Sequence, residues 1–492
     1  LEGDASLKRS RRSALVYFSF AALSAAAFAG GSYLRDSGDP FHLKSPAGQT
    51  RLAQRGSGRE SGHEGYAFRG SLSSSSVAPG GEDDAGNARR TFETIYSLVQ
   101  QYYVDKIPAD TQLSRGAIRG MLASLNDPNC YFLEPDQFAL IEAEQAGKYS
   151  GIGASLAIRA QPRDGYTEYK IVIAAPIPGS PAEKAGLKPG DVVTYLNGRW
   201  ILGYDPFLRA NRMADKLERR ANDAQTEEVR KEFTAARQRA QGGFGLFGAQ
   251  MALRGDTATL KRLNLPSDKM SVTIERPGAK NPITVEMTHA QTEVPPVSGR
   301  VLPDGSGYIH IPAFTTKTTE QFKTVFASLP RNKGLVLDLR GNPGGLSESA
   351  VAIEGLLSSS GVFGYEVRPG GKSVSVKPVS YTGVNQPLAV LTDQGTASVA
   401  EALAAALTDK GTTALIGRET FGDSLLQTAY SLPDGSAFVL ATGKMLGPRR
   451  TDWAGVGLTP KAIITQNATD EQWMRRASEE LRQHTHVADN VR

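Results

Sequence analysis

From residue 307 onward, short apolar runs alternate with stretches of helical periodicity, and no other feature narrows the fold as far. Residues 308–311, 334–339, 388–392 and 413–416 read as strands, with helices near 346–357 and over 398–409 between them. Such alternation is the mark of an α/β arrangement in which helices cover a sheet. The run Gly334-Leu335-Val336-Leu337-Asp338-Leu339 is a buried strand leading into the glycine-rich turn Arg340-Gly341-Asn342-Pro343-Gly344-Gly345. Downstream, Asp393-Gln394-Gly395-Thr396-Ala397-Ser398-Val399-Ala400-Glu401 places a serine where a strand gives way to a helix. Strands near 428–432 and 437–442 then flank Pro433-Asp434-Gly435, a hairpin turn.

The chain has 492 residues, about three domains' worth, so this core has company. Phe92, Ile95, Leu98, Val99 and Tyr102 recur at helical spacing, as do Ile118, Met121, Leu122 and Leu125, and predict a small helical domain over 91–150. At Gly151-Ile152-Gly153-Ala154-Ser155-Leu156 the pattern changes to short strands. Pro181 suits the first turn of a short helix, and Asn197-Gly198 is a tight turn. The strand pattern lapses after Tyr204 and resumes at Ser271-Val272-Thr273-Ile274. The intervening residues 206–240 are rich in helix formers and carry, from Arg209 to Arg239, nine basic residues against six acidic ones. They read as an inserted solvated helix or hairpin, with a partner-binding arm as the alternative.

The run from Gly151 to Asp191, with its Gly-Ser-Pro-Ala-x-x-Ala-Gly-Leu-x-x-Gly-Asp series, resembles a PDZ domain. That resemblance implies that backbone N–H groups of Gly151, Ile152, Gly153 and Ala154 meet a peptide's terminal carboxylate while the peptide adds a strand to the sheet edge. The helical segment, the PDZ-like run, the Asp-Leu-Arg-x-Asn-x-Gly-Gly turn and the Gly-Thr-Ala-Ser segment follow in the order found in the carboxyl-terminal processing, or tail-specific, serine peptidases. The chain resembles that family from about Phe92 to Ile464. The implied fold is an α/β peptidase core of the ClpP/crotonase-like kind, with a β-rich PDZ-like domain and an N-terminal helical segment. The expected bounds are an export signal or anchor over 1–34, a disordered linker over 35–90, and the helical segment over 91–150. The PDZ-like domain then spans 151–292 with its insertion at about 205–250, the core 293–470, and a C-terminal helix or tail 471–492.

By the same resemblance Ser398 is the nucleophile, at a helix N-terminus that favours negative charge. Its oxyanion would meet the backbone N–H of Val399 and of Gly344 or Gly345. The family's base is a lysine in a Thr-Phe-Gly-Lys-Gly-x-x-Gln segment, kept neutral by burial. The matching segment here is Thr420-Phe421-Gly422-Asp423-Ser424-Leu425-Leu426-Gln427, so Asp423 occupies the lysine position. A carboxylate is a weak base, and it adds negative charge where an oxyanion must develop. Asp423 with a pKa raised by burial is one substitute base. Lys444 is another, with a structural cation as its alternative reading, whereas Lys410 lies twelve residues beyond Ser398, about 18 Å along a helix. Asp409 and Gln427 match positions that support the site, or else end a helix and pair with backbone. His289 and His310 read as surface or packing residues.

The net charge is +5 with both signs interleaved, which does not imply nucleic acid. Cys130 is the sole cysteine and excludes an internal disulfide. Six scattered histidines offer no metal site, and no cofactor is implied. Lys8, Arg9, Arg11 and Arg12 precede an apolar stretch over 14–31, with Ala27-Phe28-Ala29 as a cleavage site. This reads as an export signal compatible with twin-arginine export, or as a membrane anchor. Residues 35–90, with serines 73–76 in a row and His63 within, read as a disordered linker. The segment Thr451-Asp452-Trp453-Ala454-Gly455-Val456-Gly457-Leu458-Thr459-Pro460 resembles the end of the chloroplast and cyanobacterial processing peptidases. That resemblance implies the thylakoid lumen, with the bacterial periplasm as the alternative, and as partner a protein C-terminal tail such as that of a photosystem II reaction-centre protein. Two functions follow: a serine endopeptidase of impaired activity, or a pseudopeptidase that binds tails for assembly.

Overall fold

The computed structural model describes residues 82–105, 110–163, 166–204, 213–214, 223–240, 243–331, 333–382, 386–409 and 413–489. The export signal, His63, the linker up to residue 81 and Lys410 fall outside them. No helix among the described residues is long and apolar enough to cross a membrane.

In chain order the helical segment contributes α1 (Glu82–Tyr102), α2 (Asp110–Ala123), β1 (Tyr131–Leu133) and α3 (Pro135–Gln145). The PDZ-like domain follows with β2 (Ala154–Arg163), β3 (Tyr166–Pro176), β4 (Val192–Leu196), β5 (Arg199–Leu202), α4 (Asp223–Ala240), α5 (Leu246–Leu253), β6 (Lys269–Glu275) and β7 (Ile283–Thr288). The core comprises β8 (Ser298–Val301), β9 (Gly307–His310), α6 (Thr318–Ala327), β10 (Leu335–Asp338), α7 (Ser347–Leu357), β11 (Gly364–Val367), β12 (Ser373–Val376) and β13 (Leu388–Thr392). It continues with α8 (Val399–Thr408), β14 (Thr413–Gly417), β15 (Leu425–Ser431), β16 (Ala437–Leu446), β17 (Ala462–Ile463) and α9 (Asp470–Asp489).

The core sheet runs β8-β9-β10-β13-β14-β17, parallel throughout except where β8 meets β9. Its strands are apolar on both faces because both faces are covered. Ile309, Leu337, Val390 and Leu415 point into one layer with Phe322, Ile353 and Leu403. Val336, Ala389, Leu391 and Ile416 point into the other with Trp473, Ala477 and Leu481 of α9. Both the strand ends that carry Asp338 and the start of α8 therefore project from a rigid base. A second, antiparallel sheet, β1-β16-β11-β12 with β15 on β16, lies beside it. The β15–β16 hairpin closes across the expected Pro433-Asp434-Gly435 turn.

In the PDZ-like domain β2-β3-β4-β5 form one path, and β6 and β7 extend it from β4. Ser180 caps the one-turn helix Pro181–Lys184 by accepting the Glu183 N–H, and Asn197-Gly198, both at positive φ, join β4 to β5. A Cβ on Gly151 would stand 2.1 Å from the Leu253 carbonyl oxygen, so only glycine fits there. The insertion contains α4, whose Val229 and Ala236 are buried.

The helical segment departs from expectation in two ways. Helix α1 begins at Glu82, within the stretch read as linker, because the acidic sequence 82–84 suits a helix start. The periodic Phe92, Ile95, Leu98, Val99 and Tyr102 are exposed instead of forming a core. By contrast α2 buries Leu122 and stacks Arg119 over Phe132 at 4.7 Å. Helix α3 is tied to the PDZ-like domain by Gln137 donating to Asp256 at 2.9 Å.

Candidate active site

Ser398 sits between β13 and α8 with φ +56 and ψ −123, a backbone region that non-glycine residues avoid. The surrounding contacts hold it there. The Ala397 N–H donates to the Asn342 carbonyl at 2.9 Å, the Thr396 hydroxyl to the Leu339 carbonyl at 2.8 Å, and the Ser398 N–H to Glu401 Oε2 at 2.9 Å. A sharp turn of this kind presents a half-buried side chain beside the free Val399 N–H that opens α8.

The glycine turn lies against it. Asn342 is buried and donates to the Ile311 carbonyl at 2.9 Å, and its Oδ1 accepts the Gly344 N–H at 2.8 Å. A Cβ on Gly344 would be 2.9 Å from Ser398 Cβ, and one on Gly345 2.1 Å from the Phe314 carbonyl. Backbone approaches the serine at Gly344 and Phe314 at Gly345 this closely only because both positions are glycine, at φ +97 and +125. With the Gly344 N–H engaged, Gly345 and Val399 are the donors left without a protein partner among the described residues. The turn is anchored by buried Asp338, which takes Arg340 Nε and Nη2 at 2.9 and 2.6 Å and the Tyr308 hydroxyl at 2.7 Å.

Glu401 is the residue that the sequence reading passed over. Its fully buried carboxylate accepts four donors from two distant segments: the Ser398 N–H, the Thr420 hydroxyl, the Gly422 N–H at 2.7 Å and the Asp423 N–H at 2.8 Å. Burial pushes its pKa up to about 7, opposed by the Thr420, Asp423 and Gly422 donors and aided by the nearby charge of Asp423. The Ser-x-x-Glu spacing, a helix-start signature, was the signal that could have found it.

Through this carboxylate the backbone of Asp423 is held beside that of Ser398, the two N–H groups within about 6 Å. The Asp423 side chain is half-buried, and its Oδ1 accepts the Leu425 N–H at 3.1 Å. Burial raises its pKa, against that hydrogen bond and the charge of Arg159. No Lys or Arg among the described residues forms an ion pair with it. Trp453 Nε1 bonds its carbonyl at 3.1 Å.

Arg159, on β2 of the PDZ-like domain, reaches the same place. Its guanidinium stacks on Phe421 at 3.9 Å and donates to the Phe421 carbonyl. Val172 and Ala174 pack there with Ala397 and Phe421, so the PDZ-like sheet covers the serine turn.

The remaining expected residues are dispersed. Asp409 closes the far end of α8 and accepts the Arg449 N–H at 3.0 Å. Gln427 is exposed and donates to the Asn129 carbonyl at 3.0 Å. The Lys444 ammonium is held by Asp452 at 2.6 Å in an exposed pair. In the PDZ-like loop the Ile152 N–H is engaged by the Leu253 carbonyl at 3.0 Å, while β2, paired only with β3 among the described strands, offers a free edge. No group of three or more His, Cys, Asp or Glu among the described residues could hold a metal.

A serine on a strained strand-to-helix turn, facing a glycine turn on an α/β core and overlain by a PDZ-like sheet, defines a tail-specific serine peptidase fold. Residues 305–464 match Peptidase family S41, 69–136 the N-terminal domain of the activating protease CtpB, and 172–210 a PDZ domain. The chain is 30% identical over 373 residues to the carboxy-terminal processing protease CtpA of Bacillus subtilis, covering 74% of this chain and 67% of that one. It is 29% identical over 375 residues to the chloroplastic C-terminal processing peptidase of Tetradesmus obliquus, covering 74% and 70%. The solved photosystem II D1 C-terminal processing protease superposes with a TM-score of 0.52 at 25% identity, covering 78% of this chain and 89% of that one. This chain belongs to the carboxy-terminal processing proteases of that peptidase family.

Proposed function

We propose that this protein recognises the C-terminal tail of another protein through its PDZ-like domain and hydrolyses it slowly, because an aspartate has replaced the amine that would deprotonate Ser398. The observation that carries this reading is the Glu401 bridge. It ties residue 423 to the serine turn, and the side chain delivered there is a carboxylate. For Ser398 Oγ to attack a peptide carbonyl its proton must leave as the C–O bond forms, while Val399 and Gly345 N–H groups take the developing oxyanion. An ionised Asp423 accepts that proton poorly and opposes the charge. Losing one member of such a pair commonly costs on the order of 10⁴-fold, roughly 5 kcal/mol of barrier.

The tail would lie along the free edge of β2, with its carboxylate at Gly151–Ala154. Because the Ile152 N–H is engaged, Gly153 and Ala154 would carry that contact. The chloroplastic and D1-processing relatives support a tail of a photosystem II reaction-centre protein in the thylakoid lumen, with a periplasmic tail as the alternative. The same substitution supports a second reading, a pseudopeptidase that holds tails without cutting them. Unstructured C-terminal peptides decide between the two. Slow cleavage abolished by Ser398→Ala is expected for an impaired enzyme, and undiminished affinity with no cleavage for the pseudopeptidase. Cleavage at a rate ordinary for proteases would sink both.

A further inference from the structure

We propose that Asp423 selects tails that carry a lysine or arginine next to the scissile bond, its carboxylate pairing with that side chain beside Ser398. The inference deepens the proposed function and rests on it, since it names the class of tail the site takes. Position is set by the backbone. One oxygen of Glu401 accepts the N–H groups of both Ser398 and Asp423, at 2.9 and 2.8 Å, so residue 423 stands beside the nucleophile's own main chain.

The carboxylate there is short of partners. Its Oδ1 takes one N–H, that of Leu425 at 3.1 Å, and its Oδ2 accepts no hydrogen bond from the described residues. Two cations stand near and both are committed elsewhere. Arg159 is stacked on Phe421 and donates to the Phe421 carbonyl, while Lys444, opposite Leu425 on β16, is held by Asp452 at 2.6 Å. The charge of Arg159 does act on Asp423, yet burial outweighs it and the carboxyl stays above its ordinary range. A half-buried carboxylate with an open oxygen and incompletely matched charge is stabilised by a cation that reaches it. Its neighbours differ. Glu401 already carries four donors, and Asp338 is paired with Arg340, so neither has room for a further cation.

What the site lacks, a tail can bring. In an extended tail successive side chains point to opposite faces, so one alternate set faces residue 423 and the residues between face away. A lysine or arginine in that set carries its charge on a long stem and completes the pair. The pair also offsets the negative charge that opposes an oxyanion at Val399 and Gly345, so it speeds the chemical step as well as binding. An amine at position 423 would repel the same side chain. The preference therefore belongs to the aspartate.

Unstructured C-terminal peptides test this, each with a single lysine stepped through the residues on either side of the cut bond and each compared with its norleucine twin. Single-turnover cleavage by the full chain is followed by mass spectrometry, and affinity is measured on Ser398→Ala. Lysine is expected to be favoured about tenfold or more at one position or at alternate positions, and not at the residues between. Arginine is expected to match it. Asp423→Asn should bring the ratio of lysine to norleucine near one, and Asp423→Lys should invert it. Equal handling of the twins at every position overturns the proposal. So does a preference that survives Asp423→Asn, which would place the selecting charge elsewhere, on Asp393 for example. If no peptide is cut, the same ratios in affinity for Ser398→Ala decide. Should Asp423→Asn fail to fold, the twins on the wild type decide alone. Tails cut or bound without regard to charge remove this inference and leave the proposed function standing, whereas a chain that binds no tail removes both.

Discussion

The turn at Ser398 and the segment 420–427 are bound to one carboxylate, yet they have fared differently. On the serine side the strained backbone, the asparagine-braced glycine turn and the helix N-terminus are all in place. On the other side the backbone is held as firmly, by Glu401, Trp453 and the β15–β16 hairpin, but the side chain it presents is Asp423. The contrast teaches that the frame is fixed by contacts of Glu401 with main-chain N–H groups and a threonine hydroxyl, none of which depends on the side chain at 423. Chemistry at that position can change without disturbing the fold.

The largest effect that would sharpen this contrast is Asp423→Lys. It should raise tail cleavage by at least ~10²-fold, measured on peptides under single turnover, with the gain removed by Ser398→Ala. Breaking the shared anchor comes next. Glu401→Gln puts an amide among donors that need an acceptor and should cost about 3 kcal/mol in urea unfolding above the pH at which Glu401 ionises. A pH effect of similar origin follows. Folded Glu401 keeps its proton to about 7 against 4.5 for the free group, so the folded chain binds the extra proton between those values. Stability should therefore be greatest below the lower value and decline by up to about 3 kcal/mol as pH rises through the window. Asp423, also raised, adds in the same direction. A Glu401→Gln chain with an undiminished slope in urea titrations between acid and neutral pH would assign the effect elsewhere. The smallest change concerns the PDZ-like cover. Arg159→Ala, which loses a stacking contact and a hydrogen bond to Phe421, should destabilise by about 1 kcal/mol and speed proteolysis at the joint between β2 and the core.

Much of this architecture was legible because its signals are local. Strand β10 and its turn, the Ser398 helix, the hairpin at 433–435, the helix start at Pro181 and the Asn197-Gly198 turn are written in neighbouring residues. Arg159 was not, since its partner lies 262 residues away and nothing near it in sequence marks the contact. Strands β11 and β12 were missed because each is four residues of mixed polarity, only partly buried. Helix α1 shows the converse: its periodicity was plain, but periodicity reports a face to be covered and leaves open whether its own chain covers it. The resemblance likewise matched Asp409 and Gln427 to supporting positions, with a helix end and backbone pairing as the alternatives; Asp409 caps the end of α8 and Gln427 donates to the Asn129 carbonyl.

Whether Ser398 lacks a working proton acceptor, as proposed, is tested most directly by the pH dependence of its reaction with a peptide phosphonate. The rate of adduct formation, followed by mass spectrometry, should be low and climb with pH without a plateau across the neutral range, while Asp423→Lys should level off once its amine is neutral. A wild-type profile that already levels off near neutrality would reveal a functioning base and contradict the account.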